Sequence, residues 1–124
     1  MTAARPILVV DDDQDIRDVI EMALHSQGYA VETASDGVEA MERLSHGLRP
    51  SLILLDLMMP RMNGGEMLDE VRNDAELAGI PVVLLSGDNT IVAKAEQLQS
   101  DGYLIKPIGL AALTHTVEHF AGPA

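Results

Sequence analysis

The chain has 124 residues, 47% of them hydrophobic, which suits one domain with its own core and excludes both two domains and intrinsic disorder. A formal net charge of −12 excludes the basic surface that nucleic acid or an anionic membrane requires, so neither is expected as a direct partner. The absence of cysteine rules out a disulfide framework and a thiolate zinc site; with no signal-peptide h-region and no apolar run near the roughly 18 residues of a membrane span, the expected location is cytoplasmic.

In chain order, Ile7–Val10 is a short apolar run of the kind that forms a strand buried on both faces, and it ends abruptly in Asp11, Asp12, Asp13 and Asp15. Ile16, Val19, Ile20, Ala23 and Leu24 then fall at helical spacing, closed by Gly28. Tyr29–Ala34 alternates in polarity, as an exposed edge strand does. Asp36, with Glu39 three residues on, resembles a helix-capping arrangement before the stripe Val38, Met41, Leu44, and Gly47 closes that helix.

Leu52–Leu55 is a second buried strand, followed by the stripe Met67, Leu68, Val71; Val82–Leu85 is a third, followed by Ile91–Gln99, which has the weakest helical pattern in the chain. Tyr103–Ile105 reads as a further strand buried on both faces. Leu110, Leu113, Val117 and Phe120 form a last stripe, stopped by Gly122 and Pro123. Strand and helix alternate throughout, which implies a parallel α/β sheet with right-handed crossovers and helices on both faces.

Ligands of such sheets bind beyond the carboxyl ends of the strands. The residues there are Asp11, Asp12 and Asp13, then Asp56, Ser86 and Lys106. Singly, each is an ordinary turn or surface residue. Together, they bring carboxylates, a hydroxyl and an ammonium to one rim, a set suited to a divalent cation and phosphoryl transfer. Magnesium takes oxygen ligands, commonly one or two carboxylates with phosphate oxygens, and Asp12 and Asp56 can supply them. A carboxylate can also be the nucleophile, giving an aspartyl phosphate whose charge the metal, lysine and hydroxyl neutralise.

Four blocks, "ILVVDDDQDIR", "LILLDLMMPRMNGGEML", "VVLLSG" and "GYLIKPI", carry a resemblance over essentially the whole chain to the receiver domain of two-component response regulators. The resemblance implies a flavodoxin-like (βα)5 three-layer sandwich with five parallel strands in the order 2-1-3-4-5. It implies one receiver domain spanning residues 1–124, its core about Arg5 to Ala121, with no output domain in this chain. Met1 and a complete last helix suggest natural ends, although an excised receiver fits equally.

The resemblance further makes Asp56 the phosphoryl acceptor, taking the group from a sensor histidine kinase or a histidine phosphotransfer protein. Asp12 becomes a direct Mg2+ ligand, with Mn2+ an acceptable substitute, and Asp11 chiefly holds a metal-bound water. Met58 offers its backbone carbonyl to the metal, leaving its side chain free to vary. Lys106 pairs with the phosphoryl group, and Ser86 hydrogen-bonds one of its oxygens. Tyr103 is the aromatic whose inward or outward position follows Ser86, and Lys106–Pro107 is a cis peptide. Met58 and Asp88 overlook the phosphoryl group and tune its lifetime.

Phosphorylation of such a protein switches the face formed by the fourth helix, fifth strand and fifth helix, which meets a downstream partner; the expected state is a monomer or weak phosphorylation-dependent dimer. It is a switch and not a turnover enzyme. Three features depart from the common pattern: Asn63 before the glycine, Ile108 after "KP", and a short stretch between Ser86 and Lys106. Within the acidic run, Asp13 is assigned to capping the first helix and Asp15 to its first turn.

The alternatives are a receiver-fold interaction module that works without phosphorylation, and a haloacid-dehalogenase-like phosphatase. The intact Asp11, Asp12, Asp56, Ser86 and Lys106 set argues against the first. The second needs another Asp two residues after its nucleophile, where this chain has Met58. No P-loop motif is present, and "HTVEH" at His115–His119, though it matches a zinc-peptidase pattern, has no downstream acidic ligand.

Overall fold

The structure, a computed structural model, describes residues 5–124. Five strands, β1 (Ile7–Val10), β2 (Val31–Ala34), β3 (Leu52–Asp56), β4 (Val82–Ser86) and β5 (Gly102–Ile105), form one parallel sheet in the order β2-β1-β3-β4-β5. Between and after them run α1 (Gln14–Ser26), α2 (Gly37–Ser45), α3 (Gly64–Asn73), α4 (Ile91–Leu98) and α5 (Leu110–Ala121). The fold is the flavodoxin-like sandwich that the sequence resemblance implies.

Because strand side chains alternate between faces, each central strand feeds two cores. Leu8, Val10, Ile53, Leu55, Val82 and Leu84 pack with Leu44 of α2, Met67 and Val71 of α3, and Ile91 of α4. Ile7, Val9, Leu52, Leu54, Val83 and Leu85 pack with Ile20 and Leu24 of α1 and Leu113 and Val117 of α5. Both faces of β1, β3 and β4 are therefore covered, which is why those strands are continuous apolar runs. Burying each such side chain is worth about 1.5–3 kcal/mol, so these three strands dominate the favourable side of folding.

The outer strands behave differently. On β2, Glu32 and Thr33 are half-buried, as its alternating sequence implies. The expectation that Tyr103–Ile105 is buried on both faces is corrected: only Leu104 is buried, while Tyr103 and Ile105 are 41% and 53% exposed. As the second edge strand, β5 lies beyond the reach of a full helical cover on that face; its short apolar run matches that of a central strand, and its edge position is a property of topology alone.

Helix boundaries follow local chemistry. Asp13 accepts from the Asp15 and Ile16 amides at the start of α1, and Asp36 accepts from Glu39 at the start of α2. Gly28 and Gly47, at φ 95° and 105°, follow the ends of α1 and α2, where a left-handed backbone conformation favours glycine. The weakly patterned fourth helix is real but only eight residues long, and Gln99 ends it in the left-handed conformation without glycine's freedom.

Candidate functional site

The parallel register sets Val10 beside Leu55, so Asp11, just past β1, and Asp56, the last residue of β3, stand side by side at the end of the sheet. They flank the point where strand order reverses, between β1 and β3. Oxygens of Asp11, Asp12 and Asp56 come within 4.8 Å of one another. Asp11 is fully buried and Asp56 nearly so, whereas Asp12 is exposed. One Asp11 oxygen accepts from the Asp13 amide at 2.9 Å, and the Arg17 guanidinium donates to the Asp11 carbonyl at 2.6 Å, fixing the β1–α1 turn.

On the far side, Ser86 pairs with Ile105 in the β4–β5 ladder, and the Lys106 amide donates to the Ser86 carbonyl at 2.9 Å. That step carries Lys106 back over the rim. Its ammonium lies 2.8 Å from Asp11 Oδ2 and 3.4 Å from Asp56 Oδ1. The Lys106–Pro107 peptide is cis.

Burial and the neighbouring Asp11 charge push the Asp56 carboxyl up to about 6, because both disfavour its ionised form; Lys106 and the Met58 amide only partly offset them. Burial alone lowers the Lys106 pKa, but its contact with Asp11 and the charges of Asp56 and Asp11 outweigh this and raise it. Lys106 thus stays a cation between two carboxylates.

Asp11 Oδ2 is buried, and among the described residues it has no aligned hydrogen-bond donor. The Lys106 ammonium is close enough for an ion pair, but one cation faces three carboxylates. An all-oxygen, net-negative cluster with an under-satisfied buried oxygen fits a hard divalent cation. The residues present can therefore hold a metal ion.

The remaining sequence-predicted residues lie around this cluster. Ser86 is buried, and its hydroxyl accepts from the Asp88 amide at 3.0 Å. Met58 is 64% exposed, and its amide donates to Asp56 Oδ1 at 3.4 Å. Tyr103 is partly exposed on β5. Asp88 is engaged locally: it accepts from the Thr90 amide and hydroxyl at 2.8 and 2.9 Å, which, with Lys94 nearby, lowers its pKa.

Three features were not anticipated. Asn63 and Glu66 form a reciprocal capping box that starts α3, a signal present in the N-x-x-E spacing. Gly64 sits so close to β3 that a Cβ would come 2.6 Å from the Asp56 carbonyl. Arg17 and Arg61 support the β1–α1 and β3–α3 loops through contacts that no local pattern announces.

The match to known proteins follows the same map. The response regulator receiver domain family matches residues 7–118. Response regulator MprA of Mycobacterium ulcerans is 38% identical over 109 residues, covering 86% of this chain and 46% of that protein, and its counterpart from Mycobacterium sp. strain KMS is 37% identical with the same coverage. The chain thus spans about half the length of these curated relatives.

Among solved structures, the Vibrio cholerae chemotaxis protein CheY4 superposes with a TM-score of 0.85 at 30% identity, covering 95% of this chain and 99% of that one. A putative response regulator from Chloroflexus aurantiacus gives 0.89 at 26%, covering 96% and 98%. No helix among the described residues is long and apolar enough to cross a membrane. Sequence blocks, strand order and rim residues agree, and the chain belongs to the response regulator receiver domain family.

Proposed function

We propose that the protein is a phosphorylation-dependent switch in which Asp56 accepts a phosphoryl group from a phosphohistidine donor with Mg2+ at the Asp11, Asp12 and Asp56 cluster. The observation that carries this reading is the convergence of a buried Asp56, two further carboxylates and the Lys106 ammonium on one rim. A carboxylate oxygen of Asp56 forms a bond to phosphorus as the phosphorus–nitrogen bond of the donor breaks, and the departing imidazole keeps the electron pair and takes up a proton. When bound, the cation would neutralise charge on the transferred oxygens.

Asp12 and Asp56, with the Met58 backbone carbonyl, would hold that cation directly, and Asp11 would hold one of its waters. Mn2+, with the same taste for oxygen, would substitute. Lys106, whose ammonium lies beside Asp56, would pair with a phosphoryl oxygen, and the Ser86 hydroxyl would donate to another. Those two contacts exist only with the phosphorylated form, so they supply the differential interaction that shifts a two-state equilibrium. Tyr103 and the α4–β5–α5 face would carry the change to a downstream protein. Water attacking the phosphorus would return phosphate and free Asp56, and Met58 and Asp88 would tune that rate.

The donor would be a sensor histidine kinase or a histidine phosphotransfer protein. The test is incubation with acetyl phosphate and Mg2+ followed by intact-mass measurement. One phosphoryl group is expected on the wild type and none on Asp56→Ala or in excess chelator; addition that persists in Asp56→Ala overturns the assignment.

A further inference from the structure

Resting on that reading, we propose that Arg61 is a positioning residue: its guanidinium clamps the β3–α3 loop to Asp36 at the start of α2 and so holds the Met58 backbone in place for the cation.

The loop between Asp56 and Gly64 must return sharply so that α3 can pack against the sheet. It does so through a turn in which the Met62 amide donates to the Pro60 carbonyl at 2.7 Å, closed over Arg61 at φ 65°. This is a γ-turn of the rarer hand, with a non-glycine residue in the left-handed region, and such a conformation persists only where its surroundings impose it.

The surroundings are contributed by α2. Arg61 Nε donates to Asp36 Oδ2 at 3.0 Å and Nη2 donates to the same oxygen, while the other Asp36 oxygen accepts from the Glu39 amide at 2.8 Å. Asp36 is 7% exposed, so its charge is nearly enclosed and fully used by these partners. Its carboxyl is held below the ordinary range, chiefly by the Glu39 amide and further by Arg61. Beside this clamp, Met62 packs so tightly over Gly37 that a Cβ there would meet three of its atoms at 3.0 Å.

The loop's far end is secured independently. The Gly64 amide donates to the Leu57 carbonyl at 3.0 Å, and the Asn63–Glu66 box starts α3. Between the secured ends, Met59 and Met62 pack against the core on either side of the Arg61 turn, while Met58 is exposed and its amide makes only the long contact to Asp56. Release of the clamp frees the turn to relax, and the Met58 carbonyl loses its fixed position relative to Asp12 and Asp56.

The contact can be removed from either side. Arg61→Ala deletes the guanidinium; Asp36→Asn keeps an oxygen that caps α2 but removes the charge that holds Arg61. Arg61→Gly also deletes the guanidinium but relieves the backbone, which separates the clamp from the strain. Mg2+ affinity by calorimetry, acetyl phosphate labelling rate and melting temperature without metal are measured for all three variants and the wild type.

The expected result is Mg2+ affinity about tenfold weaker in all three, the scale on which residues supporting metal ligands act, with labelling slowed in parallel at saturating acetyl phosphate and fixed Mg2+. Folded variants with wild-type Mg2+ affinity overturn the inference even if they melt earlier, because that is a purely structural role. Recovery of wild-type affinity in Arg61→Gly alone also overturns it, since the backbone conformation would then be the cause. A wild type that neither binds Mg2+ nor is labelled instead defeats the switch reading itself.

Discussion

The first three helices and the last two are built differently. Helices α1, α2 and α3 each begin with a side chain that accepts first-turn amides, Asp13, Asp36 and Asn63, and each has an acid in its first turn. Helix α4 starts at Thr90 and α5 at Gly109, with neither a side-chain cap nor a first-turn acid. Between them lies β5, with two of its four residues exposed. The capped helices frame the rim that carries Asp11 and Asp56, while α4 and α5 start uncapped and, like α1, each bury two residues in the core, Ile91 and Ala95 in α4 and Leu113 and Val117 in α5. Local composition thus gives α4 and α5 fewer capping contacts, and β5 more exposure, than the elements before them.

The largest test of that contrast is a pair of truncations. Leu55→Ala empties a fully buried site on central β3 and should cost about 2–5 kcal/mol. Ile105→Ala on exposed β5 should cost about 0.5 kcal/mol or less. Urea midpoints of the two variants measure the difference, and comparable losses would erase the distinction between frame and edge.

The rim itself is the exception within the frame, since its carboxylates oppose one another. Asp56 has its pKa raised to about 6 in the folded, metal-free protein, against an ordinary 3.8. The folded state therefore binds this proton more tightly, so its stabilising effect is complete below pH 4 and is lost as pH rises through about 6. Asp36 and Asp88 shift the other way and weaken the fold only as pH falls below the ordinary carboxylate range, outside that window. In chelator, Asp56→Asn should raise stability at pH 7 by on the order of 1 kcal/mol, allowing for water at the open rim, or about 4 °C in Tm, with little change at pH 4. Mg2+ should stabilise the wild type by mass action and Asp56→Asn less.

What could be read from the sequence follows the range of each interaction. Strand runs, the Asp13 and Asp36 caps and the glycines after α1 and α2 are set by neighbours within a turn, and they stand where local rules put them. The rim residues were legible because each is tied to a strand end, and a parallel sheet brings strand ends together. The Arg61–Asp36 clamp was not legible, because its partners lie 25 positions apart and only the β1–β3 strand reversal brings their loops together. Nor was the exposure of Tyr103 and Ile105, since "GYLI" has the same local character on an edge as in the middle. Asn63 departs from the family pattern, yet its spacing to Glu66 spells a capping box.

Caps also allow the contrast to be tested helix by helix. Asn63→Ala should cost about 1 kcal/mol, because an amide of α3 loses its acceptor, whereas Thr90→Ala should cost a few tenths, because no α4 amide is capped by that hydroxyl. Comparable costs would mean that α4 is held at its start by something beyond the Asp88 turn.

The smallest effect runs in the opposite direction. Gly109 has φ −75° and ψ 147°, a conformation open to any L-residue, and a Cβ there meets nothing within 4 Å. Gly109→Ser should therefore add the missing cap to α5 and reduce the freedom of the unfolded chain, gaining about 0.5 kcal/mol. Serine is preferable to aspartate because the rim beside Lys106 already carries three carboxylates. Slower amide exchange confined to the first turn of α5, with α1–α3 unchanged, is the expected signature. A uniform slowing across all five helices would show that α5 already opens together with the frame, and the division drawn between the two halves would then fail.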